Sequence, residues 1–246
     1  MVALVTGASS GIGAETALAF GRRGAYTLVH YNRNRKGAEE VICRIRQAGG
    51  DGAVLQADLS CAQGVEELTG LLKPLGRPPD ILVNNAGSLI RRTPVLEFTA
   101  ELWEQVFTLN LTSAFFLAQS ILPAMVETGR GFIVNVSSVA ARNGGGIGAL
   151  AYASAKAALS TMTKGLAKEF APKGIRVNAV SPGTVDTNYH MTFSTKHVLE
   201  GVSAATPMGR LGNPEEIADL IVFLCSQNAT FIQGQVIEIN GGFLMV

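Results

Sequence analysis

Charge of one sign is what this chain lacks most: 20 Lys and Arg stand against 19 Asp and Glu, a formal +1 over 246 residues. No basic face is left over to neutralise a phosphate backbone, so nucleic acid is not expected as a partner. Cysteine is scarce as well. Cys43, Cys61 and Cys225 are odd in number and scattered, which suits free thiols in a reducing cytoplasm better than a disulfide framework. The three histidines, His30, His190 and His197, form no ligand cluster, and His30 alternates with apolar neighbours, so no metal is assigned. No unbroken apolar run approaches the ~18 residues of a membrane span. The opening MVALVTG has no basic n-region and runs straight into a glycine turn, so it reads as a first strand and not as a signal peptide. Pro/Ser-rich linkers, charge runs and internal repeats are missing too, and residues 1–246 are therefore expected to form one domain.

What the chain has is glycine, 28 of them, and aliphatic residues in short runs. Unbroken Val/Ile/Leu runs fall near 2–6, 26–31, 53–57, 80–84, 131–136, 175–180 and 235–239, as parallel strands covered on both faces should. Helical stretches lie between them, near 11–23, 35–48, 61–73, 99–127, 150–171 and 214–225. Strict β/α alternation predicts right-handed crossovers and a doubly wound parallel α/β sheet of about seven strands flanked by helices. Ligands of such sheets bind beyond the carboxyl ends of the strands, so the informative residues should follow strands.

They do. The first predicted strand runs into Thr6-Gly7-Ala8-Ser9-Ser10-Gly11-Ile12-Gly13 and then directly into a helix. Glycines let a backbone turn sharply and approach a pyrophosphate, and the helix N-terminus offers free N–H groups to its charge. A bare glycine pattern fits a structural turn equally well, and it is the position between first strand and first helix that points to a dinucleotide. No Lys follows the last glycine, which excludes a P-loop. Later, in AYASAK, Tyr152 and Lys156 stand four apart on a predicted helix and leave the same face. A nearby ammonium favours the phenolate and brings a tyrosine, normally titrating near ~10, into range for proton transfer at neutral pH. An ordinary amphipathic helix would show the same spacing. Just upstream, VNVSS ends a strand with two adjacent hydroxyls, Ser137 and Ser138, either of which would also serve as a turn cap.

Taken in order, TGASSGIG, Asn84-Asn85-Ala86-Gly87, Asn110, Ser138, Tyr152 with Lys156, the run Ser181 to Thr187 and the segment PMGRLG resemble the short-chain dehydrogenase/reductase family over essentially the whole chain. The resemblance implies a Rossmann-type fold and a hydride-transferring oxidoreductase that interconverts a carbonyl and a secondary alcohol. It implies Tyr152 as general acid/base, with Lys156 lowering its pKa and holding the nicotinamide ribose. Ser138 would hydrogen-bond the substrate oxygen, and Asn110 would hold a water linking Lys156 to solvent. For the cofactor it implies Gly7, Ser9, Ser10, Gly11, Ile12 and Gly13 at the pyrophosphate. Asp58 and Leu59 would lie at the adenine, and Asn85, Ala86 and Gly87 at the adenosine ribose. Pro182, Gly183, Val185 and Thr187 would wrap the nicotinamide. Asp58 would equally cap a helix starting near Ser60.

Cofactor choice is set just after the second strand. An acidic residue there would accept from the ribose 2′-hydroxyl and repel a 2′-phosphate, but Tyr31 holds that place, followed by Asn32 and Arg33, with Arg35 close by. The expectation is a preference for NADP(H), with NAD(H) also admitted. PMGRLGNPEEIA, the chain's length and its motif order are most similar to the 3-oxoacyl-(acyl carrier protein) reductase branch, which implies a small carbonyl or alcohol substrate such as an acyl thioester. The stretch from Asn84 to Leu111 is similar instead to sugar-acid, gluconate-type, dehydrogenases. A non-catalytic nucleotide sensor on the same fold would typically lose the tyrosine–lysine pair, which is intact here. Arg91 and Arg92, beyond the NNAG turn, suit either a substrate anion or plain solvent. The apolar end Phe243-Leu244-Met245-Val246 and the many-faced helices at 99–127 and 150–171 predict a homotetramer. The segment 188–206 should cover the substrate.

Overall fold

The computed structural model describes residues 1–187 and 193–246. Seven strands, β1 Val2–Val5, β2 Tyr26–Tyr31, β3 Asp51–Gln56, β4 Ile81–Asn84, β5 Gly131–Val136, β6 Ile175–Pro182 and β7 Val236–Ile239, form one sheet in the order β3-β2-β1-β4-β5-β6-β7. Every pairing is parallel. The helices are α1 Gly11–Gly21, α2 Arg35–Gln47, α3 Ala62–Leu72, α4 Ala100–Phe107, α5 Ser113–Thr128, α6 Ala140–Asn143, α7 Leu150–Phe170, α8 Lys196–Ala205 and α9 Pro214–Leu224. Because successive strand residues point to opposite faces, Val5, Val29 and Val83 pack under α1, α2 and α9, while Leu4, Leu28 and Ile133 pack under α3, α5 and α7. Both faces are apolar, which is why the strands read as unbroken hydrophobic runs.

The strand order reverses between β1 and β4, and that opening is where the site forms. A buried polar chain fixes the register beside it. Asn84 on β4 donates Nδ2 to Asn135 Oδ1 (2.8 Å), and Asn135 donates to Thr163 Oγ1 on α7 (2.9 Å). Strands and helix are thereby held level where their functional residues emerge.

Two elements differ from the sequence expectation. The helix predicted over 99–127 is α4 and α5 joined by a π turn, Thr108–Thr112. By length and hydropathy the combined run Ala100–Thr128 would suffice to cross a membrane. Here, however, Leu117, Ile121 and Met125 pack onto the sheet. The segment 188–206 contains α8, whose N-cap Thr195 accepts from the Val198 N–H (3.3 Å). His190 and the rest of 188–192 lie outside the described residues.

Candidate active site

The glycine turn is built as the sequence predicts and is clamped from three sides. Gly11 has φ 55°, a left-handed conformation that favours glycine, and a Cβ on Gly13 would collide with the Gly7 carbonyl. Asn85 donates Nδ2 to the carbonyls of Thr6 (2.8 Å) and Gly7 (3.1 Å), while Thr6 Oγ1 accepts from the N–H groups of Asn85 and Ala86. The third clamp is His30. Its Nδ1 accepts from the Gly7 N–H (3.0 Å) and its Nε2 faces the Ala57 carbonyl (3.1 Å), a pairing that requires the neutral Nε2–H tautomer. Burial pushes this imidazole down to about 4, against the opposing pull of the Ala57 hydrogen bond and the Asp58 charge. No side chain caps Ser10 at the start of α1, so the first-turn N–H groups face the cavity.

Tyr152 and Lys156 lie on α7 with Nζ 5.7 Å from the phenol ring centroid. Lys156 is buried, donates Nζ to the Val136 carbonyl at the end of β5 (2.7 Å), and is pulled down to about 7 by desolvation. Asn110 sits in the π turn. Its Nδ2 donates to the carbonyls of Val106 and Ser88 (2.8 Å each) and its Oδ1 accepts from the Ser88 N–H (3.1 Å). A Cβ on Gly87 would stand 2.7 Å from Asn110 Oδ1 and 2.9 Å from Lys156 Nζ, so the two groups flank a position only glycine leaves open.

Ser137 and Ser138 both border the cavity and differ in how their hydroxyls are engaged. Ser137 is buried and its hydroxyl is engaged by the Lys156 carbonyl (3.1 Å) and Ser160 Oγ (2.7 Å). Ser138 accepts from the Ala140 N–H (3.1 Å), which leaves its own proton to offer. Both readings of Ser138, turn cap and cavity hydroxyl, therefore hold at once.

A cavity of about 550 Å³ joins these groups. Of the expected residues it is lined by Gly7, Ser10, Gly11, Ile12, Gly13, Asn85, Ala86, Gly87, Ser138, Tyr152, Lys156, Pro182, Gly183, Val185 and Thr187. Asn110 stands behind the wall, reaching the site through Gly87 and Lys156. Ser9 turns away, its carbonyl accepting from Asn34 Nδ2 (3.2 Å). Of the expected adenosine contacts, Asn85, Ala86 and Gly87 line the cavity, whereas Asp58 and Leu59 at the adenine, and Tyr31, Asn32 and Arg33 after β2, lie beyond it. Tyr31 is buried with its hydroxyl donating to Gln56 Oε1 (3.3 Å), and Leu59 is buried too. Burial raises the Asp58 carboxyl, yet bonds from the Ser60 hydroxyl and N–H and from Asn32, with the Arg33 charge, hold it below its ordinary value. Asp58 thus closes a local turn onto Ser60, while α3 starts at Ala62 with Cys61 as its N-cap and no side-chain cap bond, so the helix-cap reading of Asp58 is not realised. Leu89, Val139, Asn143 and Ala149, not singled out from sequence, complete the lining, together with Val198, Leu199 and Val202 from the segment expected to cover the substrate and Phe243 from the end expected to serve assembly. Arg92 lines it as well and Arg91 does not.

Residues 7–244 match the family model described as enoyl-(acyl carrier protein) reductase. An uncharacterized oxidoreductase, YmfI, of Bacillus subtilis is 41% identical over 98% of this chain and 98% of its own. The 3-oxoacyl-[acyl-carrier-protein] reductase FabG of Escherichia coli is 35% identical over 100% of this chain and 98% of its own. Among solved structures, a putative gluconate dehydrogenase from Agrobacterium tumefaciens superposes with a TM-score of 0.92 at 31% identity, covering 100% of this chain and 96% of that one. Acetoin dehydrogenase from Enterobacter cloacae gives 0.88 at 36%, over 98% and 94%.

Proposed function

The chain belongs to the short-chain dehydrogenase/reductase family, and from that premise we propose that it is a cytoplasmic NADP(H)-preferring enzyme reducing a 3-oxoacyl thioester. The coarser statement, an oxidoreductase acting on CH–OH or C=O, follows from the family itself. The observation that carries the reading is the convergence of Ser138, Tyr152 and Lys156 on one cavity with the N-terminus of α1. The donor set fits a dinucleotide: uncapped helix N–H groups for a pyrophosphate, and a buried ammonium for ribose hydroxyls. The bound nicotinamide supplies or removes the hydride.

The residues then divide the chemistry, with Lys156 serving both the ribose and the phenol. Ser138 donates its hydroxyl proton to the substrate oxygen and fixes the carbonyl beside Tyr152. Tyr152 gives its phenolic proton to that oxygen as negative charge develops there, and takes it back in the oxidative direction. Lys156, when charged, stabilises the phenolate left behind. Val139, Ala149 and Val198 supply apolar wall beside these groups.

Tyr152→Phe tests the assignment. It should lower kcat by at least ~10²-fold, the lower end for acid–base catalysis, with cofactor affinity nearly unchanged. Near-normal turnover in that variant would refute the mechanism. Cofactor preference rests on the absence of a carboxylate at Tyr31, Asn32 and Arg33 and on the Arg33 charge. The comparison of kcat/KM for NADPH and NADH should favour NADPH, and an NADH advantage would reverse it. A second reading, a gluconate-type sugar-acid dehydrogenase, is favoured by Arg92 in the cavity wall and by the likeness to the gluconate dehydrogenase structure. Turnover of 3-oxoacyl thioesters against sugar acids separates the two.

A further inference from the structure

We propose that Arg92 is the residue by which this site selects its substrate, and that the substrate carries an oxyanion, a carboxylate or a phosphate, which the guanidinium holds while the carbonyl lies at Tyr152. The inference rests on the oxidoreductase reading and goes beyond it by naming a chemical requirement common to both candidate substrates. Among the described residues lining the cavity, Arg92 and Lys156 are the cations and no carboxylate is present. Lys156 is already committed to the Val136 carbonyl beneath Tyr152, so the charge at the substrate end is that of Arg92. The same cavity is lined by apolar Leu89, Val198, Val202 and Phe243 and by the neutral polar groups of Ser138, Asn143 and Ser194. Arg92 is exposed, and of the groups that line this cavity it is the one that offers an incoming oxyanion an uncommitted full charge.

The arginine is also aimed. Its Nε donates to the Phe193 carbonyl and its Nη1 to the Ile147 carbonyl (2.9 Å each), bonds that fix the guanidinium between two loops and leave Nη2 to donate elsewhere. Among the described residues it has no ion-pair partner. The backbone that presents it is strained. Ile90 has φ 60°, the single described non-glycine residue with positive φ, and the Arg91 N–H closes a three-residue turn onto the Leu89 carbonyl (2.6 Å). A β-branched residue in that region persists only where the surroundings over-determine it, as at ligand clamps. Its effect here is that Arg91 points away from the cavity and Arg92 lines its mouth. The loop is then pinned to the Tyr152 side by Thr93 N–H donating to the Gly148 carbonyl (3.2 Å).

The test compares matched substrate pairs: a 3-oxo acid with its methyl ester, and a 3-oxoacyl-4′-phosphopantetheine thioester with its dephosphorylated form. The readout is the ratio of kcat/KM, anionic over neutral, in wild type, Arg92→Met, Arg92→Lys and Arg91→Ala. In Arg92→Met the ratio for at least one pair should fall roughly ten- to 150-fold, the loss expected for a hydrogen bond to a charged group. Arg92→Lys should recover part of it, and Arg91→Ala none of the loss. A fall confined to the acid pair identifies a carboxylate, and one confined to the thioester pair identifies the phosphate. Ratios that stay at the wild-type value in Arg92→Met while all four substrates slow together would make Arg92 a loop strap and overturn the proposal, with the oxidoreductase reading intact. Calorimetric titration of hexanoate against hexanoamide into the NADP⁺ complex reads the same contact without turnover. Hexanoate binding that Arg92→Met abolishes, in a protein that turns over none of the four, would sustain the anion site while refuting the reaction.

Discussion

At the scale of single residues, His30 is where the structure adds most to the sequence. Read along the chain it is a polar residue alternating with apolar ones, and nothing in that pattern names Gly7 as its partner. The partner follows only from the parallel register, which sets Val29 beside Val5 and so brings residue 30 level with the start of the glycine turn. Its neutral state has a consequence for pH. The folded imidazole titrates at about 4 and the unfolded one at 6.5, so the unfolded chain takes up the proton first as the solution is acidified. Stability is complete above 6.5 and is lost as pH falls from there through 4, by about 3 kcal/mol in all. His30→Gln, which keeps an acceptor and a donor, should flatten that part of the curve. Thermal midpoints at pH 7 and 5 measure it, and an unchanged pH slope in the variant would show that His30 is not the titrating group. That Tyr152, Lys156 and Ser138 border one cavity, by contrast, agrees with their order and spacing along the chain. Their spacing is local, and what the fold adds is a difference between the two serines, since Ser137 borders the cavity too but has its hydroxyl engaged by the Lys156 carbonyl and Ser160.

At the scale of elements, the strands were readable because burial on both faces leaves each an unbroken apolar run. β3 begins two residues before the run, since Asp51 and Gly52 pair with Tyr26 and Thr27 by backbone alone. α8 escaped notice for the opposite reason. None of its residues is buried, so no stripe marks it, and Val198, Leu199 and Val202 face the cavity instead of the core. The π turn was equally invisible, because it is a choice of hydrogen-bond partner and not of composition. It matters all the same, since it carries Asn110 to Ser88, and a single side chain there satisfies both a backbone N–H and a backbone carbonyl. Asn110→Ala should strand both groups at a cost of about 2–3 kcal/mol. It should also lower kcat by loosening Gly87 beside Lys156. Urea midpoints check the first effect, and a midpoint within experimental scatter of wild type would remove the π turn from the list of structural supports.

For the whole molecule, we propose a homotetramer. Trp103, Phe115 and Phe116 stand exposed along α4 and α5, and on other parts of the surface Phe231, Met245 and Val246 are almost fully exposed. Two separate apolar areas of this kind call for two two-fold interfaces. Phe243 was grouped with the second from sequence, but it lines the cavity, so the C-terminal interface and the substrate wall share one short segment. Light scattering after size exclusion at micromolar concentration should give the mass of four chains, and the mass of one chain would contradict the proposal.

The position of β1 between β2 and β4 also sets a timetable for synthesis on the ribosome. β1 emerges first and can pair with β2 early, yet its other edge stays open until Ile81–Asn84 has left the exit tunnel. For that interval the nascent chain presents an apolar strand with unsatisfied backbone donors and acceptors, a template for other chains. A slow stretch of translation before β4 would lengthen the interval, and trigger-type holding chaperones would be needed most then. Among the strands that end inside the sheet, the one that later supports the glycine turn thus waits longest for its second partner.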